Sequence, residues 1–184
     1  IAGPDVSICD NQTIQIGTLP NPAYTYSWTP AGQVSNVAIA DPLAWAIGTT
    51  PTDFIVHTTD PLTGCNSYDT IVITGRVVDT SLALNGKNDF CNADPAGGIL
   101  SVNNALSAVQ WYDGINPIPG ATGISYQPLV TGNYWAQLQQ FGCTDSTVTI
   151  PFAIHAVPLA SFTASSDTGC VTNHSFVFTN GSTV

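Results

Sequence analysis

The sequence predicts an all-β fold, arranged as small sandwich-like domains in tandem. Three observations lead there: a composition of strand and turn formers, short runs with two-residue hydrophobic alternation, and a near-regular recurrence of cysteine and tryptophan. The 12 acidic residues are all Asp, they face only Lys87 and Arg76, and Glu and Met are absent, so most strong helix formers are missing. Thr, Ser, Val, Ile, Tyr, Trp, Gly, Pro and Asn take their place, the residues of pleated strands and the turns between them.

The recurrence sets the domain organisation. Cys9, Cys91 and Cys170 lie 82 and then 79 residues apart. The first two are followed by Trp28 and Trp111 at offsets of 19 and 20 residues, then by Gly64-Cys65 and Gly142-Cys143. A period near 80 exceeds that of solenoid repeats and suits a small domain with its own core. The expected boundaries are 1–76, 77–157 and 158–184, the last being the start of a third domain whose continuation would lie beyond Val184. Hinges are expected near Gly75-Arg76 and Val157-Pro158, without a flexible linker, which implies a semi-rigid rod.

Within each period the strands follow in order. Thr13-Ile14-Gln15-Ile16 and Ile99-Leu100-Ser101-Val102 come early. Tyr24-Thr25-Tyr26-Ser27-Trp28-Thr29 and Val109-Gln110-Trp111-Tyr112 follow, each aiming its Trp at the core. Phe54-Ile55-Val56 and Tyr134-Trp135-Ala136-Gln137-Leu138 come later, and Asp69–Ile73 and Asp145–Ile150 close the units after each Gly-Cys. Pro, Gly and Asn fill the boundaries, as in Leu19-Pro20-Asn21-Pro22 and Asn116-Pro117-Ile118-Pro119-Gly120. The last piece, Ala160–Ala164 with Ser175–Phe178, supplies two or three strands. Leu43-Ala44-Trp45-Ala46-Ile47 is apolar throughout and does not reveal which way Trp45 faces.

Four cysteines allow three pairings, and spacing alone does not choose among them. The repeat favours one bridge inside each unit, Cys9 with Cys65 and Cys91 with Cys143, each closing a loop worth roughly 4 kcal/mol. Cys170 is then left unpaired in the fragment. Bridged cysteines imply an oxidising, extracellular setting.

Catalysis is not expected. His57, His155 and His174 lie in unrelated positions, Glu is absent, and neither a Gly-x-Ser-x-Gly nor a His-Glu-x-x-His motif occurs. No cofactor is expected and no Cys-x-x-Cys occurs; Asp5, Asp10, Asp89 and Asp94, beside the cysteines, are weak candidates for structural calcium. The net charge of −10 argues against nucleic acid, and no apolar run is long enough to insert in a membrane. Tyr112, Tyr126 and Trp135 are candidates for glycan contact, with packing as the alternative for each. Asn11, Asn173 and Asn180 open glycosylation sequons.

The pattern Ala2–Cys9, Tyr26-Ser27-Trp28-Thr29-Pro30, Gly64-Cys65 and Asp69–Ile73 resembles the immunoglobulin-like repeats of large secreted cell-surface proteins of Bacteroidetes, of the gliding-motility and adhesin type. The second unit is similar more loosely, and Pro158–Phe162 with Cys170 and Phe176–Asn180 resembles the opening of a polycystic-kidney-disease type domain, without its aromatic-Asp-Phe-Gly-Asp-Gly run. The Cys-to-Trp spacing is longer than in antibody domains. The resemblance implies immunoglobulin-like sandwiches, type IX secretion, and a stalk, spacer or adhesive role. Partners would be neighbouring repeats, other surface proteins, glycans or copies of the chain in a filament or sheath. It also makes Thr70 and Ser146, in Asp-Ser/Thr-apolar triplets, candidates for O-glycosylation.

Overall fold

The computed structural model describes residues 2–92, 94, 96–103, 105–106, 108–165 and 177–183. These form two compact units. Unit 1 comprises Ile1–Asp79 with Ala105–Ala108 and Leu138–Asp145; unit 2 comprises Thr80–Asn104, Val109–Gln137 and Ser146–Val184. No α-helix occurs among the described residues, and one 3-10 turn spans Ala31–Gln33.

Unit 1 places β1 (Val6–Cys9), β2 (Thr13–Gln15), β3 (Thr25–Thr29), β4 (Leu43–Trp45), β5 (Thr52–Thr59) and β6 (Asn66–Arg76) in two sheets, β1-β6-β5-β3 and β2-β4. Edge strand β1 runs parallel to the final strand, with Val6 opposite Ile73 and Cys9 opposite Arg76. The other pairings are antiparallel. The alternation read from the sequence decides what is buried: Trp28 on β3, Phe54 and Val56 on β5, and Ile71 and Ile73 on β6 point inward with Ile16 and Ala44. Trp28 is 1% exposed, and its indole N–H donates to the Ile39 carbonyl at 2.9 Å. Gly17 packs beside that ring with φ +87°; a Cβ there would run into the Ala40 carbonyl, so only glycine fits.

The strands from Leu82 on are β7 (Leu82–Asn85), β8 (Asp89–Cys91), β9 (Ile99–Val102), β10 (Ala108–Asp113), β11 (Asn116–Pro117), β12 (Ser125–Tyr126), β13 (Gly132–Gln140), β14 (Cys143–Ser146) and β15 (Ile150–His155); they build unit 2, except that Ala108, the end of β13, the turn after it and β14 as far as Asp145 belong to unit 1. One sheet has the order β12-β9-β7 and the other β11-β10-β13-β15-β8, with β14 paired to β13. Here too an early edge strand, β8, lies parallel to the last, with Cys91 opposite His155. Trp111 is fully buried and donates its indole N–H to the Gly123 carbonyl at 2.8 Å. At the start of β13, the Tyr134 hydroxyl donates to the Val130 carbonyl four residues upstream at 2.9 Å. That is the tyrosine corner of immunoglobulin-like domains, and with the two-sheet strand order it defines the fold as an immunoglobulin-like β-sandwich.

Phe162–Ala164 (β16) and Phe178–Asn180 (β17) form a separate antiparallel pair with exposed Phe162 and Phe178 in edge contact at 5.7 Å. Cys170, His174 and the Ser175-Phe176 part of the expected strand lie outside the described residues.

Two expectations need correction. Among the described residues the disulfide is Cys9–Cys143, spanning 134 residues, while Cys65 and Cys91 are free and exposed. The strands explain why neither expected bridge forms. Cys9 sits beside Arg76 at the end of β6, whereas Cys65 precedes the first residue of the same strand. At about 3.3 Å per residue the two positions are roughly 35 Å apart, and a bridge needs Cα atoms within about 7 Å. Cys91 and Cys143 are separated in the same way, by the length of β14 and β15. Second, the strand expected at Asp145–Ile150 is broken. Thr147 turns inward, and its Oγ1 accepts the Ala136 N–H at 3.0 Å while its own N–H donates to the Ala136 carbonyl at 2.9 Å. The ladder is interrupted there, as in a bulge, and resumes at Ile150.

Candidate functional site

The connections that carry the turn cysteines differ in build. Between β5 and β6 the chain makes a loop around Asp60, whose Oδ1 accepts the Leu62 N–H at 2.8 Å and whose Oδ2 accepts the Thr63 hydroxyl at 2.8 Å. These bonds, Leu62 first and Thr63 next, hold the Asp60 carboxyl below its usual range. Backbone bonds from Gly64 to Asp60 and from Asp60 to Cys65 close the loop. Between β13 and β14 the connection is only Phe141-Gly142, both at positive φ (55° and 81°), the geometry of a tight type I′ hairpin.

The first loop leaves Cys65 exposed at the rim of a cavity of about 260 Å³, lined also by Tyr24, Thr58, Asp60, Asn66 and Ser67. Thr58 is 9% exposed and its hydroxyl has no hydrogen-bond partner among the described residues. The second turn buries Cys143 and presents Phe141, over which the Arg76 guanidinium lies at 5.3 Å.

Each unit carries a stacked ring pair on the outward face of its larger sheet. In unit 1 His57 stacks on Tyr68 across β5 and β6, at 4.4 Å and 11° between planes. In unit 2 Tyr112 stacks on Trp135, at 4.2 Å and 11°, and the Trp135 indole donates to the Gly114 carbonyl at 2.7 Å. Both rings of the second pair are half-buried. The third glycan candidate, Tyr126, is packed inward: it stacks on Trp111 at 5.8 Å and touches Tyr134 at 5.7 Å. Burial and then the Asp113 carboxylate raise its phenol pKa, and the same two causes with Tyr126 push Tyr134 up to about 12.

The calcium candidates are not brought together. Asp5 accepts the Val72 N–H at 2.9 Å, Asp10 accepts the Asn11 amide at 3.0 Å, Asp89 pairs with His155 at 2.8 Å, and Asp94 faces Lys87 at 3.9 Å. Among the described residues no three His, Cys, Asp or Glu side chains are grouped as a metal site. Thr70 is exposed on β6 and Ser146 is exposed at the end of β14, so both could be reached by a modifying enzyme. Trp45 is half-buried on β4, an orientation its wholly apolar surroundings in sequence had concealed.

No protein-family model matches this chain, and no curated protein does. Among solved structures, an I-band fragment of titin shares 8% identity over 84% of this chain, with a TM-score of 0.40. The chain spans 64% of that fragment's length. The titin domains z1z2 in complex with telethonin share 11% identity over 84% of the chain and 93% of theirs, with a TM-score of 0.33. A fragment of human protocadherin-24 shares 12% over 74% of this chain and 83% of its own, with a TM-score of 0.35. Likenesses at these scores carry no argument, and the fold rests on the strand order and the tyrosine corner above. No helix among the described residues is long and apolar enough to cross a membrane.

Proposed function

We propose that this chain is a structural or adhesive repeat segment of an extracellular bacterial surface protein, its immunoglobulin-like units in tandem acting as a semi-rigid stalk or spacer without catalytic activity. The observation that carries the reading is the shared internal plan: each unit buries one tryptophan whose indole N–H is tied to a carbonyl 11 or 12 residues later, and each pairs an early cysteine-ended strand in parallel with its last strand. The disulfide supports an oxidising, extracellular location. Export by the type IX route, O-glycosylation of Thr70 and Ser146, and kinship with gliding-motility and adhesin proteins extend the same reading through the resemblance of the sequence motifs.

A second reading is favoured by one observation. The flat, half-buried Tyr112–Trp135 pair on an outward sheet face offers the ring surface on which a sugar stacks. Titration against a panel of oligosaccharides, followed by tryptophan fluorescence, separates the two. The stalk reading expects no saturable change. Saturable binding that Trp135→Ala abolishes would replace it with a carbohydrate-binding module.

A further inference from the structure

We propose that the Cys9–Cys143 bond is a redox-controlled bypass for tension: while it is closed, a pull along the chain runs through the two sulfurs and does not reach residues 10–142. The inference rests on the stalk reading above and adds to it how such a stalk resists stretching and what releases it.

The order of the covalent bonds carries the argument. Cys9 is the last residue of β1 and Cys143 the first of β14. Their bond spans 134 residues of sequence, yet the two Cα atoms are 5.5 Å apart. Every strand from β2 to β13 lies inside the closed loop, with Trp28 and Trp111 among them. Of the two sandwiches only β1, β14 and β15 stay outside it. In a stalk, tension enters on the N-terminal side of Cys9 and leaves on the C-terminal side of Cys143. With the bond closed, the shortest covalent path between those sides is a single S–S link, so the loop cannot lengthen whatever happens to its strands. With the bond open, the path runs through the whole loop, and its extension is opposed only by hydrogen bonds and packing, at the rate set by unfolding. Fully drawn out at roughly 3.3 to 3.6 Å per residue, the loop adds about 450 Å.

A second observation is the seat built around the bond, all of it within unit 1. Contacts independent of the sulfurs hold the turn before Cys143 against the end of β6. The Arg76 guanidinium lies 5.3 Å over the Phe141 ring, and the buried Gln140 side chain accepts the Asp79 N–H at 3.0 Å through its Oε1. On the other side, Cys9 pairs with Arg76 in the β1–β6 register, and the next residue, Asp10, donates its N–H to the Arg76 carbonyl at 2.9 Å. The bond is thus fixed where the first sequence period passes into the second. Cys143 is buried, and a cavity of about 60 Å³, bordered by both cysteines, Asp10, Asn11 and Arg76, opens beside the sulfurs. It gives a thiol its approach to the bond.

Release is thiol–disulfide exchange. A dithiol such as dithiothreitol attacks one sulfur as its thiolate, and the other cysteine leaves as a thiolate and takes up a proton. The second thiol of the reductant then displaces the first cysteine, closing to a cyclic disulfide, so that two cysteine thiols form as one dithiol is oxidised.

The test stretches the full chain between handles attached at its two ends in an optical trap, before and after dithiothreitol. Cys65→Ser, Cys91→Ser and Cys170→Ser are present throughout, so that no other bridge forms. The expected result is that the oxidised chain extends only through residues outside the bond and that reduction adds about 450 Å. Adding Cys9→Ser and Cys143→Ser should give the long extension with or without reductant. Equal extensions of the oxidised and reduced chain, with the Cys9–Cys143 peptide present in a digest of the oxidised sample, would overturn the bypass. Saturable oligosaccharide binding by the same oxidised chain would instead overturn the stalk reading and leave the difference in extension as it is, so the two fail separately.

Discussion

Unit 1 and unit 2 solve the same packing problem with different materials. Unit 1 surrounds Trp28 with aliphatic side chains and Phe54, and closes on one unbroken strand of 11 residues. Unit 2 surrounds Trp111 with a run of rings, Tyr126, Tyr134, Phe152 and Phe90, each in contact with the next at 5.6 to 6.4 Å, and closes on a strand interrupted at Thr147. At the same point of the fold, unit 1 has Phe54 where unit 2 has the hydrogen-bonded Tyr134. The order β1-β6-β5-β3 recurs as β8-β15-β13-β10 and a buried tryptophan is common to both; the later sheets add β7, β11 and β14, and the connection before the closing strand differs. A tight Phe141-Gly142 turn buries Cys143 in a bridge, whereas the Asp60 loop leaves Cys65 exposed and free. Core positions thus specify the sandwich, and turn chemistry specifies whether a turn cysteine is buried in a bridge or left exposed.

The comparison can be broken most severely at the bridge. Replacing Cys9 and Cys143 together by Ser should cost up to about 5 kcal/mol, since the closed loop of 134 residues is long and the chain-entropy term grows with its length. Removing Cys65 and Cys91 should leave monomer stability unchanged in the same urea titration. Next in size are Trp28→Ala and Trp111→Ala, each expected to cost about 3 to 5 kcal/mol, with Trp111 the worse because it also loses its stack on Tyr126. Equal costs, read from urea titrations followed by circular dichroism, would mean that the ring contacts of unit 2 add nothing to its burial.

A smaller effect separates the two corners. Tyr134→Phe should cost about 1 kcal/mol through the lost bond to Val130, bringing unit 2 to the Phe54 state of unit 1. It should also remove an alkaline transition. The Tyr134 pKa is raised to about 12, so its contribution is complete below the ordinary tyrosine value near 10 and is lost as pH climbs from there to about 12. Melting curves between pH 9 and 12 check this, and an unchanged alkaline limb in the variant would assign the transition elsewhere.

The smallest change lies in the Asp60 loop. Its lowered pKa places its contribution above the ordinary value of 3.8, to be lost as pH falls through the folded-state value. Asp60→Asn should therefore lower the melting point slightly at pH 7, flatten the acid limb below pH 4, and speed alkylation of Cys65. An alkylation rate that stays the same would show that the loop does not depend on this carboxylate.

Much of the fold was legible because alternation reports directly on which side chains face a core. The periods around Trp28, Phe54, Trp111 and Tyr134 gave both strand and facing. The disulfide was not legible, because pairing depends on where strand ends fall in space; the parallel register of β1 on β6, which carries Cys9 away from Cys65, leaves no local mark. The break at Thr147 was hidden for a related reason: Asp145–Ile150 has strand composition, and only the long-range bond to Ala136 turns one residue inward. Of the candidate site, Trp135 and Tyr112 were visible as rings on strand positions, but their stacking on each other, and the unpartnered hydroxyl of Thr58 beside Cys65, are tertiary facts.

The most direct test of the central claim is a disulfide map of the oxidised monomer, alkylated before digestion and read by mass spectrometry. The account predicts one linked peptide joining Cys9 to Cys143, with Cys65 and Cys91 both alkylated. Linked peptides joining Cys9 to Cys65 and Cys91 to Cys143 would contradict it, because no immunoglobulin-like unit with β1 parallel to β6 can bring the first of those pairs together.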